Sequence, residues 1–223
     1  MMKVLAQNRR RQMNRALRWA AVLFAGFIVV TQQVYTLGPL VGYDKEINSQ
    51  PKPQFEGLAG FILLRLDDLG ARWLTSSVLL IAAAFIAYKF KTKRPLILAF
   101  ISLFFLHLVV GVVKVFLGRT KPRDGFDLLH AGGMSYPSGH ASNVVLGWGL
   151  LAYLIYRYAK VDRYQGRLAS AAVALISVVV CAVSLIRHTH WFTDLLGGLF
   201  VGSALLVTVI AIDRYVPSKS QLH

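Results

Sequence analysis

The chain has 223 residues, of which 56% are apolar or aromatic and only 16% are charged, and its mean hydropathy is +0.54. This composition excludes an ordinary soluble protein, because apolar stretches near 20 residues recur and each is long enough to cross a hydrocarbon layer of about 30 Å. The formal net charge of +15 fits the basic excess on the cytoplasmic face of membrane proteins. No nucleic-acid motif accompanies that charge, so no nucleic-acid partner is expected.

The apolar runs predict an all-α, polytopic membrane protein that forms a single domain over residues 1–223. The first run lacks a small-residue cleavage site and is interpreted as a retained span. No oligomer is implied. Six transmembrane helices are expected at about residues 17–36, 73–90, 95–117, 141–158, 168–186 and 193–212.

The long connection between the first two spans contains one more predicted helix. In QFEGLAGFILLRLDDLG, residues 54–70, apolar residues recur at helical spacing but the segment is too short to cross the membrane. This pattern is typical of a helix that lies in the membrane interface. Such a helix is either a plain anchor or a lid for a lipid, and the sequence leaves both open.

The positions of Lys and Arg predict the orientation of the chain. The N-terminal segment, the loops after spans two and four, and the C-terminal tail together carry 16 of the 25 basic residues. With an even number of spans, both termini are expected on this face. We therefore expect both termini in the cytoplasm, and a bacterial inner (plasma) membrane as the location.

Ionisable residues collect near the ends of spans on the opposite, periplasmic or extracellular, face. Because charges at membrane depth are costly, such residues indicate a functional site. Cations with few balancing carboxylates favour an anionic ligand, and the N-terminus of a helix that begins near Gly139 would add unpaired N–H groups for a phosphate. The residues are Lys114, Arg119, Lys121, Arg123, Ser138, Gly139, His140, Arg187, His188, His190 and Asp194.

Two histidines in this set supply chemistry that simple binding would not need. Asp194 follows His190 by four residues, so its carboxylate can fix the imidazole tautomer and leave the other ring nitrogen as a nucleophile. His140 can donate a proton to the leaving group. Fixed cations would stabilise the charge on the transferred phosphoryl group, so no metal and no cofactor is expected. The two histidines predict a bell-shaped pH dependence.

The chain resembles the type 2 phosphatidic acid phosphatase (PAP2) superfamily, whose signature is K-x6-R-P, then P-S-G-H, then S-R-x5-H-x3-D. The resemblance covers about residues 114–194. It implies that His190 is the nucleophile that becomes a phosphohistidine, that Asp194 orients it, and that His140 is the general acid. It also implies that the phosphate is held by Lys114, Lys121, Ser138 and Gly139.

Two positions depart from the signature. Lys121 stands where the family has Arg, which keeps the charge but loses the planar bidentate fork. Ser184 stands where the third motif has its Arg, and Val183 replaces the preceding Ser. Arg187 lies one helical turn further on, and we expect it to fill the missing place and contact the phosphate. Arg119, Arg123 and Ser184 are further candidates for substrate contact.

The resemblance predicts a lipid phosphatase that acts on a phosphomonoester or diphosphate at the outer face of the membrane. Undecaprenyl diphosphate, phosphatidylglycerophosphate, phosphatidate and lipid A phosphate are all candidate substrates, and the sequence does not choose among them. Two alternatives remain open: a phosphotransferase that passes the phosphoryl group to another lipid, and a binder of anionic lipids with weak catalysis or none.

Overall fold

The structure is a computed structural model, and it describes residues 2–159 and 161–216. Within these residues the chain is helical and contains no strand. Lys160 and Lys219, two of the basic residues assigned to the cytoplasmic face, lie outside the described residues. The helices are α1 Met2–Tyr35, α2 Pro39–Ser49, α3 Gly57–Asp68, α4 Arg72–Lys89, α5 Arg94–Leu117, α6 Gly139–Asn143, α7 Gly149–Tyr158, α8 Arg163–Ile186 and α9 Phe192–Tyr215.

Five helices of the described part are long and apolar enough to cross a membrane: α1, α4, α5, α8 and α9. They coincide with five of the six expected spans. The remaining one, at 141–158, is built from α6, a π-helical turn at Val144–Trp148, and α7 in direct succession. The helical membrane fold is therefore confirmed, whereas the number of six spans stays a prediction.

Local sequence explains where several of these helices begin and end. Pro95 stands in the first turn of α5, where its missing N–H has no intrahelical partner to lose. The same helix ends at Gly118, whose φ of 53° suits glycine. Asp162 caps α8 by accepting a hydrogen bond from the Gln165 N–H at 2.8 Å. The loop that leads to the predicted phosphate site therefore begins at Gly118.

The helix predicted in the first long connection is present as α3, and its place in the membrane interface stays a prediction. It follows a helix that the sequence pattern did not predict, α2. Leu58, Phe61 and Ile62 of α3 are exposed, as expected for a face that meets lipid. The C-terminal end of α3 instead packs into the protein. Asp67 is only 7% exposed, and the next turn leads directly into α4.

Helix α9 is the central element, and α1, α5, α6 and α7 pack around it. Two glycines allow α6 to approach it closely. A Cβ on Gly198 would come within 2.5 Å of the Ser138 carbonyl oxygen, and one on Gly202 within 2.8 Å of the Ser142 carbonyl oxygen. Any larger residue at either position would push α6 away, so these glycines set the position of the segment that contains His140.

The end of the bundle far from these glycines is closed by a second buried carboxylate, Asp213. Arg94 donates from Nε to Asp213 Oδ1 at 2.5 Å, and the Tyr153 hydroxyl donates to Oδ2 at 2.5 Å. Arg157 pairs with the same oxygen at 2.5 Å. These contacts join α5, α7 and α9, so a polar cluster stabilises this end of the helical bundle.

Candidate active site

His190 and Asp194 form a buried pair where the α8–α9 connection enters α9. His190 is 7% exposed, and its Nδ1 lies 3.4 Å from Asp194 Oδ2. The same Oδ2 accepts the Trp191 N–H at 2.9 Å, as a first-turn carboxylate does at a helix N-terminus, and also accepts the Ser135 hydroxyl. The carboxylate is therefore fixed by the backbone, and its geometry leaves Nε2 of His190 as the free ring nitrogen.

Arg119 lies behind this pair and is completely buried. Its five N–H groups make five hydrogen bonds of 2.7–2.8 Å: one to Thr193 Oγ1 and the others to the carboxylates of Asp44, Asp127 and Asp194. An arginine has only five such donors. The expectation that Arg119 contacts substrate is therefore not supported, because none of its donors is left over and none of its surface is open.

Asp44 and Asp127 were not singled out from the sequence, although both hold Arg119. Asp44 lies on α2 and also accepts the Thr193 N–H at 2.8 Å and the Thr193 hydroxyl at 2.6 Å. Burial raises the pKa of the Asp44 carboxyl, while Arg119 and Thr193 act in the opposite direction. Through these bonds α2 is tied to the start of α9.

The segment Ser138–His140 brings a helix N-terminus and the second histidine to the same place. The Ser138 hydroxyl oxygen caps α6 by accepting the Ala141 N–H at 3.3 Å, and the Ser138 N–H donates to the Asp194 carbonyl oxygen at 2.9 Å. The ring centroids of His140 and His190 are 6.1 Å apart. A Cβ on Gly139 would meet nothing within 4 Å, so the space beside this helix N-terminus is open.

Lys114 and Lys121 lie beside the two histidines. Lys114, in the last turn of α5, donates from Nζ to the carbonyl oxygens of Met134 and, at 3.3 Å, Ser135. Lys121 is half-buried and lies within electrostatic range of both Lys114 and His140. The structure thus gathers both predicted lysines, the helix N-terminus and both histidines at one end of the bundle.

Arg187 and Ser184 meet a partner that the sequence did not indicate, Asp67 of α3. Arg187 pairs from Nη1 with Asp67 Oδ2, and the Ser184 hydroxyl donates to Asp67 Oδ1 at 3.3 Å. Ser184 is fully buried, so the geometry does not support its candidacy for substrate contact. The Arg187 side chain keeps 32% of its surface exposed, and its contact with phosphate stays a prediction.

Arg123 and His188 lie to one side of this centre. Arg123 is exposed and lines, with Arg187 and His188, a cavity of about 340 Å³. His188 Nδ1 lies 2.7 Å from the Asn48 side-chain oxygen. Burial, and to a smaller extent Lys52, lowers the pKa of His188. His188 therefore belongs to the contacts that hold α2, whereas Arg123 keeps a place from which it could contact a headgroup.

A larger cavity of about 690 Å³ runs from His140 along the groove between α4 and α5. Its wall is mostly apolar, and it also includes Arg72, Ser76 and His107. Ser76 Oγ and His107 Nε2 are the buried side-chain polar atoms without a hydrogen-bond partner in the described part of the chain. A mostly apolar groove that ends at an imidazole suits an amphiphilic molecule.

The fold and this end of the bundle define a helical membrane protein with a buried histidine–aspartate pair that faces a second histidine at a helix N-terminus. The PAP2 superfamily model matches residues 95–217, which is more than half of the chain, and the chain belongs to that superfamily. All the residues that carry the family signature fall inside this range.

Comparisons with individual proteins agree with this assignment. Phosphatidylglycerophosphatase B of Bacillus subtilis (strain 168) is 27% identical over 105 residues, which are 47% of this chain and 51% of the relative. The matched region thus spans about half the length of that curated relative. A crystal structure of a transmembrane PAP2-type phosphatidylglycerolphosphate phosphatase from Bacillus subtilis superposes with a TM-score of 0.78 at 22% identity, covering 90% of this chain and 98% of that one. At this identity the structural likeness supports the fold.

Proposed function

We propose that the protein is an integral membrane lipid phosphatase that hydrolyses a lipid phosphomonoester or diphosphate through a phosphohistidine on His190. The observation that carries this proposal is the pairing of His190 Nδ1 with Asp194 while the ring of His140 stands 6.1 Å away, centroid to centroid. This separation leaves room for one phosphoryl group between a nucleophile and an acid.

In the first step, Nε2 of His190 attacks phosphorus and the bond from phosphorus to the leaving oxygen breaks. His140 gives its proton to that oxygen, so the lipid leaves with a hydroxyl group or, from a diphosphate, as a protonated lipid phosphate. Asp194 Oδ2 accepts a hydrogen bond from the His190 Nδ1–H and stabilises the positive charge that develops on the imidazole ring. In the second step, water attacks phosphorus, His140 takes the water proton, and the bond from phosphorus to Nε2 of His190 breaks, so inorganic phosphate leaves and His190 is restored.

Fixed groups around the phosphoryl oxygens stabilise their negative charge. Lys114 and Lys121 supply positive charge, and Arg187 would add a guanidinium. The N–H groups at the start of α6 add donors at the open space beside Gly139, whereas the Ser138 hydroxyl is fully buried and caps that helix. Substrate phosphate bound there would be reached by both histidines.

The groove between α4 and α5 supports a lipid as the substrate. Its apolar wall would hold hydrocarbon, while Arg72, Ser76 and His107 offer polar atoms close to His140. The unpaired Ser76 and His107 atoms suit the ester or phosphodiester oxygens of a glycerolipid. Phosphatidylglycerophosphate is therefore the first candidate, in line with the name of the curated relative, and phosphatidate, undecaprenyl diphosphate and lipid A phosphate follow.

We also propose that the site faces the periplasm or the extracellular space, with both termini in the cytoplasm. The support is the basic excess at the other end of the bundle, where α4 ends at Lys89 and α5 begins at Arg94. Single cysteines placed at exposed Arg123 and at exposed Lys91, each in a Cys181→Ser background, test this orientation when intact cells are labelled with an impermeant reagent. We expect labelling at Arg123→Cys alone.

Phosphate release from a panel of lipid phosphates by the purified protein tests the main proposal. His190→Ala and His140→Ala should both abolish release, whereas His188→Ala, whose ring contacts Asn48, should keep most of it. Substrate labelled with ³²P should leave acid-labile label on the wild type and none on His190→Ala. Label that moves to a second lipid instead of water would indicate a transferase, and lipid binding without turnover would indicate a binder.

A further inference from the structure

The C-terminal end of α3 is docked onto the helix that contains His140. The Leu69 carbonyl oxygen accepts the Trp148 indole N–H at 2.8 Å, and the Gly70 carbonyl oxygen accepts the Asn143 side-chain N–H at 3.3 Å. A Cβ on Gly70 would come within 2.9 Å of the His140 Cβ. The turn that follows α3 is thus in direct contact with the helix that contains the proposed general acid, His140.

Asp67 stands one turn before this contact and is buried, in contrast to its neighbour. It pairs with Arg187, which follows α8, and accepts a hydrogen bond from Ser184 of α8. Asp68 instead pairs with Arg65 on the same helix at 2.8 Å, and both of those side chains are partly open to solvent. Burial of a carboxylate is costly unless it is paired. Asp67 is therefore held in the protein by its partners, whereas Asp68 forms an ordinary surface pair.

The position of this carboxylate coincides with the departure from the family signature. Ser184 occupies the place of the missing motif arginine, and it donates to Asp67. Arg187, one turn further on, reaches the same carboxylate. Ser184 of α8 and Arg187, the residue that follows α8, therefore contact one carboxylate of α3, and this carboxylate determines where the guanidinium of Arg187 lies.

Asp67 carries a negative charge, whereas the other groups that act on His140 are basic. Burial above all lowers the pKa of His140, and His190 from the α8–α9 connection, Lys114 from α5 and Lys121 from the loop after α5 lower it further, whereas Asp67 raises it. A general acid must hold its proton until the leaving group departs. A carboxylate near His140 therefore favours the protonated imidazole that the proposed reaction requires.

We propose that Asp67 is a positioning residue of the active site: it holds Arg187 toward the phosphate in place of the missing motif arginine, and it places a negative charge beside the turn that packs against His140. The proposal rests on the phosphatase function proposed above. It also assigns a role to α3, whose C-terminal turn becomes part of the site.

The test compares Asp67→Asn with Asp68→Asn, which removes a charge from the adjacent residue. We expect Asp67→Asn to raise KM for the lipid phosphate about tenfold, because Arg187 loses its anchor. The alkaline limb of its pH–rate profile should move to lower pH, because His140 loses a stabilising negative charge. Asp68→Asn should keep the wild-type KM and profile, and Asp67→Glu should recover part of both.

A double-mutant cycle with Arg187→Gln separates positioning from simple structural support. If Asp67 acts on KM through Arg187, the double variant should have about the same KM as Arg187→Gln alone. The double variant leaves no buried charge unpaired, so it keeps the test valid if Asp67→Asn alone is unstable. Additive effects on KM, or an Asp67→Asn profile that superposes on that of Asp68→Asn, would overturn the proposal. A wild type without phosphate release would instead refute the phosphatase function itself.

Discussion

Arg119 donates from Nη1 to Oδ1 of Asp194 at 2.8 Å, while the other oxygen of that carboxylate faces His190. The arginine also stacks near the Trp191 ring, with 5.3 Å from Cζ to the centroid. The loop that follows α5 is thereby joined to the proposed nucleophile through one carboxylate. Arg119 acts as a structural tie behind the site, and the cations in front of it are different residues.

Arg119→Gln should destabilise the fold strongly. The change leaves Asp44, Asp127 and Asp194 buried without their common cation, and breaking one buried pair in this way costs about 3–5 kcal/mol. Thermal unfolding in detergent micelles should show a much lower midpoint for this variant than for Arg123→Gln, whose side chain is exposed. A variant with an unchanged midpoint and only a raised KM would mean that Arg119 contacts substrate after all.

Gly139 and Gly198 should respond differently to the same change. Gly198→Ala forces the new Cβ against the Ser138 carbonyl oxygen, so we expect a lower unfolding midpoint together with lost turnover. Gly139→Ala has open space around its Cβ, so the midpoint should stay close to wild type while KM rises. Equal midpoints and equal kinetics in both variants would contradict the placement of phosphate at the start of α6.

Filling the groove between α4 and α5 should impair long-chain substrates selectively. Ser76→Trp places a large ring in the cavity that leads to His140, so KM for a diacyl lipid phosphate should rise about tenfold or more. Turnover of water-soluble p-nitrophenyl phosphate should change little. Ile81→Trp, on an exposed position of the same helix, is the matched control. A uniform loss with both substrates would show that the groove does not hold the lipid chain.

Removal of divalent metal should leave turnover unchanged. In the proposed mechanism Lys114, Lys121 and Arg187 neutralise the phosphoryl oxygens, which is the task that Mg²⁺ performs in other phosphoryl-transfer enzymes. Phosphate release should therefore be the same before and after dialysis against EDTA. An activity that EDTA abolishes and Mg²⁺ restores would refute the electrostatic part of the mechanism.

The sequence predicted the helical membrane fold and α3 because both depend on local patterns of apolar residues. It also placed His140, His190 and Lys114 at one end of the bundle, since the polar segments recur at the same ends of successive spans. The π-helical turn and α2 were not predicted, because neither has a strong periodic signal.

The sequence pattern did not indicate that Asp44 and Asp67 belong to the site, and the reason is different. Asp44 meets Arg119 across 75 positions, and Asp67 meets Arg187 across 120. An isolated Asp in an outer loop reads as a solvated residue, and only the tertiary fold shows that it is buried. The predicted contact of Arg119 with substrate was not supported for the same reason, because the partners that bury Arg119 come from distant segments.

Asp194 and Asp213 stand at the two ends of α9, nineteen positions apart. At 1.5 Å per residue they are separated by about 28 Å along the helix axis, which is close to the roughly 30 Å thickness of a bilayer's hydrocarbon layer. Helix α9 is therefore long enough to place one of these acids near each surface of a bilayer. In the proposed reaction, a lipid phosphate beside Asp194 would lie at headgroup depth while the lipid tails stay among their neighbours, so the lipid would react without being extracted from the membrane.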